Sequence, residues 1–244
     1  MRTSNPVLNA KAFERFGPGV AGGEGMTIDG TIHRSAFLLL LVVATATWTW
    51  VKTFGGTPTT GYLLVGALGG FVVALATIFK PTWAPITAPI YALLEGLALG
   101  AISAYFEARY PGIVIQAVAL TFGTLVALLI AYRSGAIQVT RNFRMGVVAA
   151  TGGIAVFYLV AMGLSFFGIR IPFLHEGSWL GIGFSLFVVV IAALNLVLDF
   201  DFIEKGAEQG APKFMEWYAA FGLMVTLIWL YLEILRLLSK LRSR

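Results

Sequence analysis

Cysteine is absent from all 244 residues. That excludes disulfides, thiol catalysis and cysteine-ligated metal, and it says little about compartment. Charge is scarce: Asp, Glu, Lys and Arg make up 12% of the chain, against about a quarter in a soluble domain. Histidine is nearly absent. His33 and His175 lie in segments flanking the apolar runs and form no metal-ligand pair at helical spacing. Ser165, in 163-GLSFFG-168, finds no histidine in a later span to activate it, which argues against an intramembrane serine protease. No basic residue lies in mid-span, which argues against a Schiff-base retinal protein, and no glycine-rich phosphate loop occurs. The chain is not expected to be an enzyme, and no cofactor is expected.

What the chain has is hydrocarbon. Hydrophobic residues make up 58% of it. Seven apolar runs occupy roughly 35–51, 61–79, 86–106, 113–132, 145–167, 179–198 and 214–238. About 20 residues at 1.5 Å each cross a hydrocarbon core of roughly 30 Å. The runs are continuous, where barrel strands would alternate. The links are short, so successive helices are antiparallel neighbours. An all-α membrane protein with seven transmembrane helices, its partner the lipid bilayer, follows. Residues 1–34 are polar and Gly-rich (17-GPGVAGGEG-25) and read as a flexible tail, leaving 35–244 as the transmembrane domain. The tail lacks the basic–apolar–small order of a cleavable signal.

The net charge of +5 is explained by flanking Lys and Arg, with no compact basic face for nucleic acid. With a cytoplasmic N-terminus, ten basic residues fall inside, from Arg2 to Lys213. Three, Lys52, Arg109 and Arg170, fall outside. That favours the N-terminus inside. Arg236, Lys240, Arg242 and Arg244 oppose it, since seven spans put them outside; a re-entrant last segment would put them inside. The length of 217-WYAAFGLMVTLIWLYLEILRLL-238 favours seven spans.

Small residues recur every four positions in the third run (Ala88, Ala92, Gly96, Gly100, Ala104) and the second (Gly66, Gly70, Ala74). Such stripes let helices approach closely. Beside the longer stripe runs a polar line, Thr87, Tyr91 and Glu95. A carboxylate at mid-membrane is costly and faces the bundle interior. For Glu95 two readings stand: a protonated acid bonded to a neighbouring helix, or an ion or proton site. Asp199 closes the sixth run (194-LNLVLDFDF-202), Glu216 opens the seventh, and Glu233 lies late in it. Glu233 could simply pair with Arg236 one turn on.

The third-run 95-EGLALG-100, the sixth run ending in Asp199, the last reading 230-LYLEILRLL-238 and the seven-helix layout together resemble the Bax inhibitor-1 family, over nearly all of 35–244. The likeness is closest to the family's bacterial branch, which implies the bacterial cytoplasmic membrane. The resemblance implies a central C-terminal helix wrapped by two inverted three-helix groups. It implies a pH-sensitive calcium leak, with acids of the sixth and last helices as pH sensor and a basic residue near the end of the second as latch. Asp199 and Glu233 match the acids, and Lys80 the latch. Family members are also linked to stress tolerance and to control of membrane-anchored proteases, which implies an alternative, non-transporting role.

One departure bears on the pair. Asp199 and Glu233 are 34 residues apart, where the family's acids are nearer two dozen. Either 202–222 contains a non-spanning segment, or Glu216 is the partner. Paired carboxylates cannot both ionise cheaply in a low-dielectric bundle. At low pH they are expected to share a proton and hold the path closed. At higher pH they are expected to repel and present oxygen ligands to calcium, with Glu95, Thr87 and Tyr91 lining part of the route.

Overall fold

Thr27 starts the first helix. Its backbone is extended, and its hydroxyl accepts from Gly30 N at 3.0 Å, with Asp29 in the first turn. These are the ordinary N-terminal devices of a helix. So α1 spans Ile28–Phe54 and begins seven residues before the apolar run at Ser35. The computed structural model describes residues 25–168 and 177–243. The expected tail before residue 25, and Arg170 and His175, lie outside the described residues.

The other helices are α2 (Thr60–Phe79), α3 (Ala84–Arg109), α4 (Ile113–Arg133), α5 (Arg141–Phe166), α6 (Trp179–Glu208) and α7 (Met215–Arg242). Lys80 caps α2, and Pro81 stops it by lacking an N–H. Gly112, at φ +80°, makes the tight link from α3 to α4, a conformation in which a Cβ would be strained. Each of the seven is long and apolar enough to cross a membrane. The expected seven-helix, all-α membrane architecture holds, and the chain is an integral membrane protein.

The chain divides into two compact units. Of the described residues the first comprises 25–109 and 199–225, and the second 110–168, 177–198 and 226–243. Helices α1–α3 belong to the first. Helices α4–α6 belong to the second, except α6 from Asp199 onward. In the first unit α1 and α2 both pack on α3. The small stripes are the contact surfaces. A Cβ on Gly96 would strike Thr45 and the Val42 carbonyl of α1, and one on Gly100 would strike the Ala46 carbonyl. A Cβ on Gly66 of α2 would strike the backbone of α3 at Leu94 and Ala98. The opposite face of α2 exposes Leu64, Leu68, Phe71 and Val72. In a membrane protein those are lipid-facing positions. In the second unit Ile154, Val188 and Ile191 form a buried cluster, flanked by Tyr158, Phe184 and Trp229. Asn195 Nδ2 ties α6 to α5 by donating to Thr151 Oγ1 at 2.8 Å.

Two contacts fix which ends lie together. Met26 N donates to Ala211 O at 2.6 Å, and Gly25 bridges Pro212. The start of α1 therefore sits beside the α6–α7 link, as six crossings require. At the other end, Arg242 Nη1 donates to the Pro111 carbonyl at 2.7 Å and Nη2 to Gln116 Oε1 at 3.0 Å. The end of α7 sits beside the α3–α4 link, as four more crossings from α4 require. Both contacts fit seven full spans and give no role to a re-entrant last segment.

Candidate functional site

Helix α7 carries most of the large side chains that are wholly buried among the described residues, including Met215, Tyr218, Phe221, Leu230 and Leu235. Two acids lie among them. Glu216 is in the first turn, where the helix dipole favours an anion. It is fully buried. Thr27 N and Thr27 Oγ1 both donate to its Oε1 at 2.9 Å. Arg34 Nη1 reaches Oε2 at 2.7 Å, and Lys213 Nζ reaches Oε1 at 3.3 Å. Gly30 is pressed against the carboxylate and has no space for a Cβ. The Arg34 guanidinium also lies 5.3 Å from the Trp217 ring, which Phe37 meets edge-on at 6.0 Å. Glu216 thus clamps the start of α1 to the start of α7.

Glu233 belongs to a second network, in the other unit. Tyr158 of α5 donates from its hydroxyl to Glu233 Oε1 at 3.1 Å. Arg236 Nη1 donates to the same oxygen at 3.0 Å and to the Tyr158 hydroxyl at 2.7 Å. One turn further, buried Lys240 donates to Gly181 O at 3.0 Å and Ser185 Oγ at 2.9 Å. The i,i+3 pairing with Arg236 weighed from sequence is present, with a tyrosine added to it.

Asp199 is fully buried on α6. The helix does not end there. It continues nine residues to Glu208, and the Asp201–Lys205 pair at 2.5 Å supports that extension. Helix α7 then runs unbroken from Met215. The extra residues between the acids lengthen both helices; they do not form a non-spanning segment. At 1.5 Å per residue Asp199 lies about 14 Å before the end of α6, and Glu233 lies about 27 Å into α7. Counting back from the link puts Asp199 near the level of Met224, between Glu216 and Glu233. The hydrogen bonds and ion pairs given above for both glutamates go to other residues.

The polar line on α3 is partly internal. Thr87 Oγ1 accepts from Thr77 Oγ1 of α2 at 2.8 Å. Tyr91 is buried, with its ring edge-on to Phe221 of α7 at 4.8 Å. Glu95, one turn on, points at Gly70 of α2. Lys80 is exposed, with its ammonium 4.3 Å from the Trp83 ring centre. To latch onto an acid it would have to leave that ring. Among the described residues no three His, Cys, Asp or Glu side chains gather to hold a metal ion.

The family model for Bax inhibitor 1 like proteins matches residues 5–243. The chain belongs to that family. No curated protein and no solved structure matches it. For this Bax inhibitor 1 like protein, Thr27, Arg34 and Tyr158 are partners that sequence reasoning missed, and Gly70 was read only as a packing position. Each serves an acid that composition did reveal. The available signal was general: a buried carboxylate requires a cation or donors, and those lay up to 189 residues away.

Proposed function

We propose that the protein is a pH-controlled leak pathway for calcium, with Asp199 as its titrating gate. The observation that carries this reading is a carboxylate fully buried where the apolar stretch of α6 gives way to its charged end. Ionising such a group puts a full negative charge in a low-dielectric interior, which draws a cation toward it beside whatever partners it already has. That attraction couples deprotonation to cation entry. Protonated Asp199 holds the closed form; ionised Asp199 offers hard oxygen ligands of the kind calcium prefers. Thr87 and Tyr91 line part of the route, and Tyr91 closes it against Phe221. Glu216 and Glu233, each already held by cations and hydroxyls, keep the frame. Membership of the Bax inhibitor 1 like family supports the reading. It is tested by calcium flux in proteoliposomes with Asp199→Asn.

A second reading has its own support. Residues 25–34 are pinned beside the α6–α7 link by the Met26 and Glu216 contacts. The point at which the described chain begins, Gly25, is therefore fixed beside that link, and the segment before it would be the contact for a membrane-anchored protease. Deleting residues 1–24 leaves the Glu216 clamp intact. On the leak reading, flux through the truncated protein is unchanged. Loss of protease pull-down with flux retained would add the regulatory role; loss of protease pull-down from a protein that shows no flux at all would replace the leak.

A further inference from the structure

Two of the acids on the spans are compensated. Glu216 has Arg34 and Lys213, and Glu233 has Arg236 and Tyr158. Glu95 is placed differently. It lies at mid-length of α3, opposite Gly70 at mid-length of α2. A Cβ on Gly70 would stand 2.8 Å from Glu95 Oε1 and 3.3 Å from its Cδ. Gly66 and Gly69 likewise leave room for Leu94 and Ala98 of α3. Helix α2 thus carries a notch, and the carboxyl group fills the place a side chain would take. Among the described residues no hydrogen bond or ion pair reaches that carboxyl group.

Helices α1 and α2, which pack on α3, bring no charge to it. On α2 no ionisable residue lies between Tyr62 and Lys80, and on α1 none lies between Arg34 and Lys52. On α3 the nearest titratable group is Tyr91, one turn before Glu95. Helix α7, which meets Tyr91 through Phe221, carries only Tyr218 and Tyr231 as titratable groups between Glu216 and Glu233. A carboxylate in mid-span with neither cation nor donor is the costly arrangement that protein interiors avoid. The economical form is the neutral acid. Glu95 is half-buried and not enclosed, which leaves the acid accessible to exchange.

We propose that Glu95, seated in the Gly70 notch, is an intramembrane proton-binding site whose resting form is the neutral carboxylic acid. The site does not rest on the leak reading, and it is read by chemistry without any flux.

The test is reaction of the membrane-embedded protein with dicyclohexylcarbodiimide over a pH series, followed by peptide mass mapping. A protonated carboxyl group adds across the carbodiimide: its oxygen bonds to the central carbon and its proton goes to nitrogen. The adduct rearranges to a stable N-acylurea that keeps every atom of both reactants. The expected result is an adduct on Glu95 that declines as pH rises, with Glu216 and Glu233 modified far less. In infrared spectra, Glu95→Gln should remove a protonated-carboxyl C=O band. In Gly70→Ala the methyl group displaces only the end of a flexible side chain, so the protein folds and the rate of labelling changes. No adduct on Glu95 at any pH, or an adduct equal at all pH values, overturns the proton site. Unchanged labelling in folded Gly70→Ala overturns the notch. Should Glu95→Gln fail to fold, labelling of the unmodified protein decides alone.

Discussion

Arg34→Ala should destabilise the protein by about 3 kcal/mol, the lower end of what breaking a buried ion pair costs. Glu216 is fully buried and Arg34 is 24% exposed, so the substitution strands the acid more than the base. The loss stays at the lower end because Thr27 still donates twice and Lys213 still approaches. Lys213→Ala should cost under about 1 kcal/mol, since Lys213 is well exposed and its contact is long. Denaturant unfolding in detergent, followed by circular dichroism, separates the two. The reverse ranking would mean that Lys213, and not Arg34, neutralises Glu216. The effect should also be local: the freed start of α1 loses the Met26–Ala211 bond and exchanges its amides faster.

In the second unit, Arg236→Ala should cost about 2 kcal/mol. Glu233 is buried and keeps only the Tyr158 hydroxyl. The figure is reduced because the Arg236 side chain is 40% exposed, so solvent already screens part of the pair. Tyr158→Phe combined with Glu233→Gln should show a coupling of about 1 kcal/mol in a double-mutant cycle. Strict additivity would mean that the tyrosine hydroxyl contributes packing and no bond.

These two networks also mark where sequence reasoning stops. The seven helices were legible because hydropathy over about 20 residues is a strong signal. Their ends were less so, because ends are set by capping and charge pairing. Thr27 starts α1 seven residues before its apolar run. The Asp201–Lys205 pair carries α6 past the last apolar residues to Glu208. Every acid of the site could be named from its place in or at the end of an apolar run: Glu95 in mid-run, Asp199, Glu216 and Glu233 toward run ends. Glu233–Arg236 was readable too, since both lie on one helix face. Thr27 and Arg34 at Glu216, and Gly70 under Glu95, were not, because they depend on which helices meet. The 34-residue separation of Asp199 and Glu233 was legible as a departure; the unbroken α6 and α7 show where the extra residues go.

The central claim is that Asp199 carries the pH control of a calcium leak. The most direct test is calcium flux into proteoliposomes at acidic and mildly alkaline pH, comparing the unmodified protein with Asp199→Asn and Glu233→Gln. The account predicts flux that rises with pH in the unmodified protein and in folded Glu233→Gln, and flux that no longer responds to pH in Asp199→Asn. An unaltered pH response in folded Asp199→Asn, or no flux from folded unmodified protein at either pH, would contradict it.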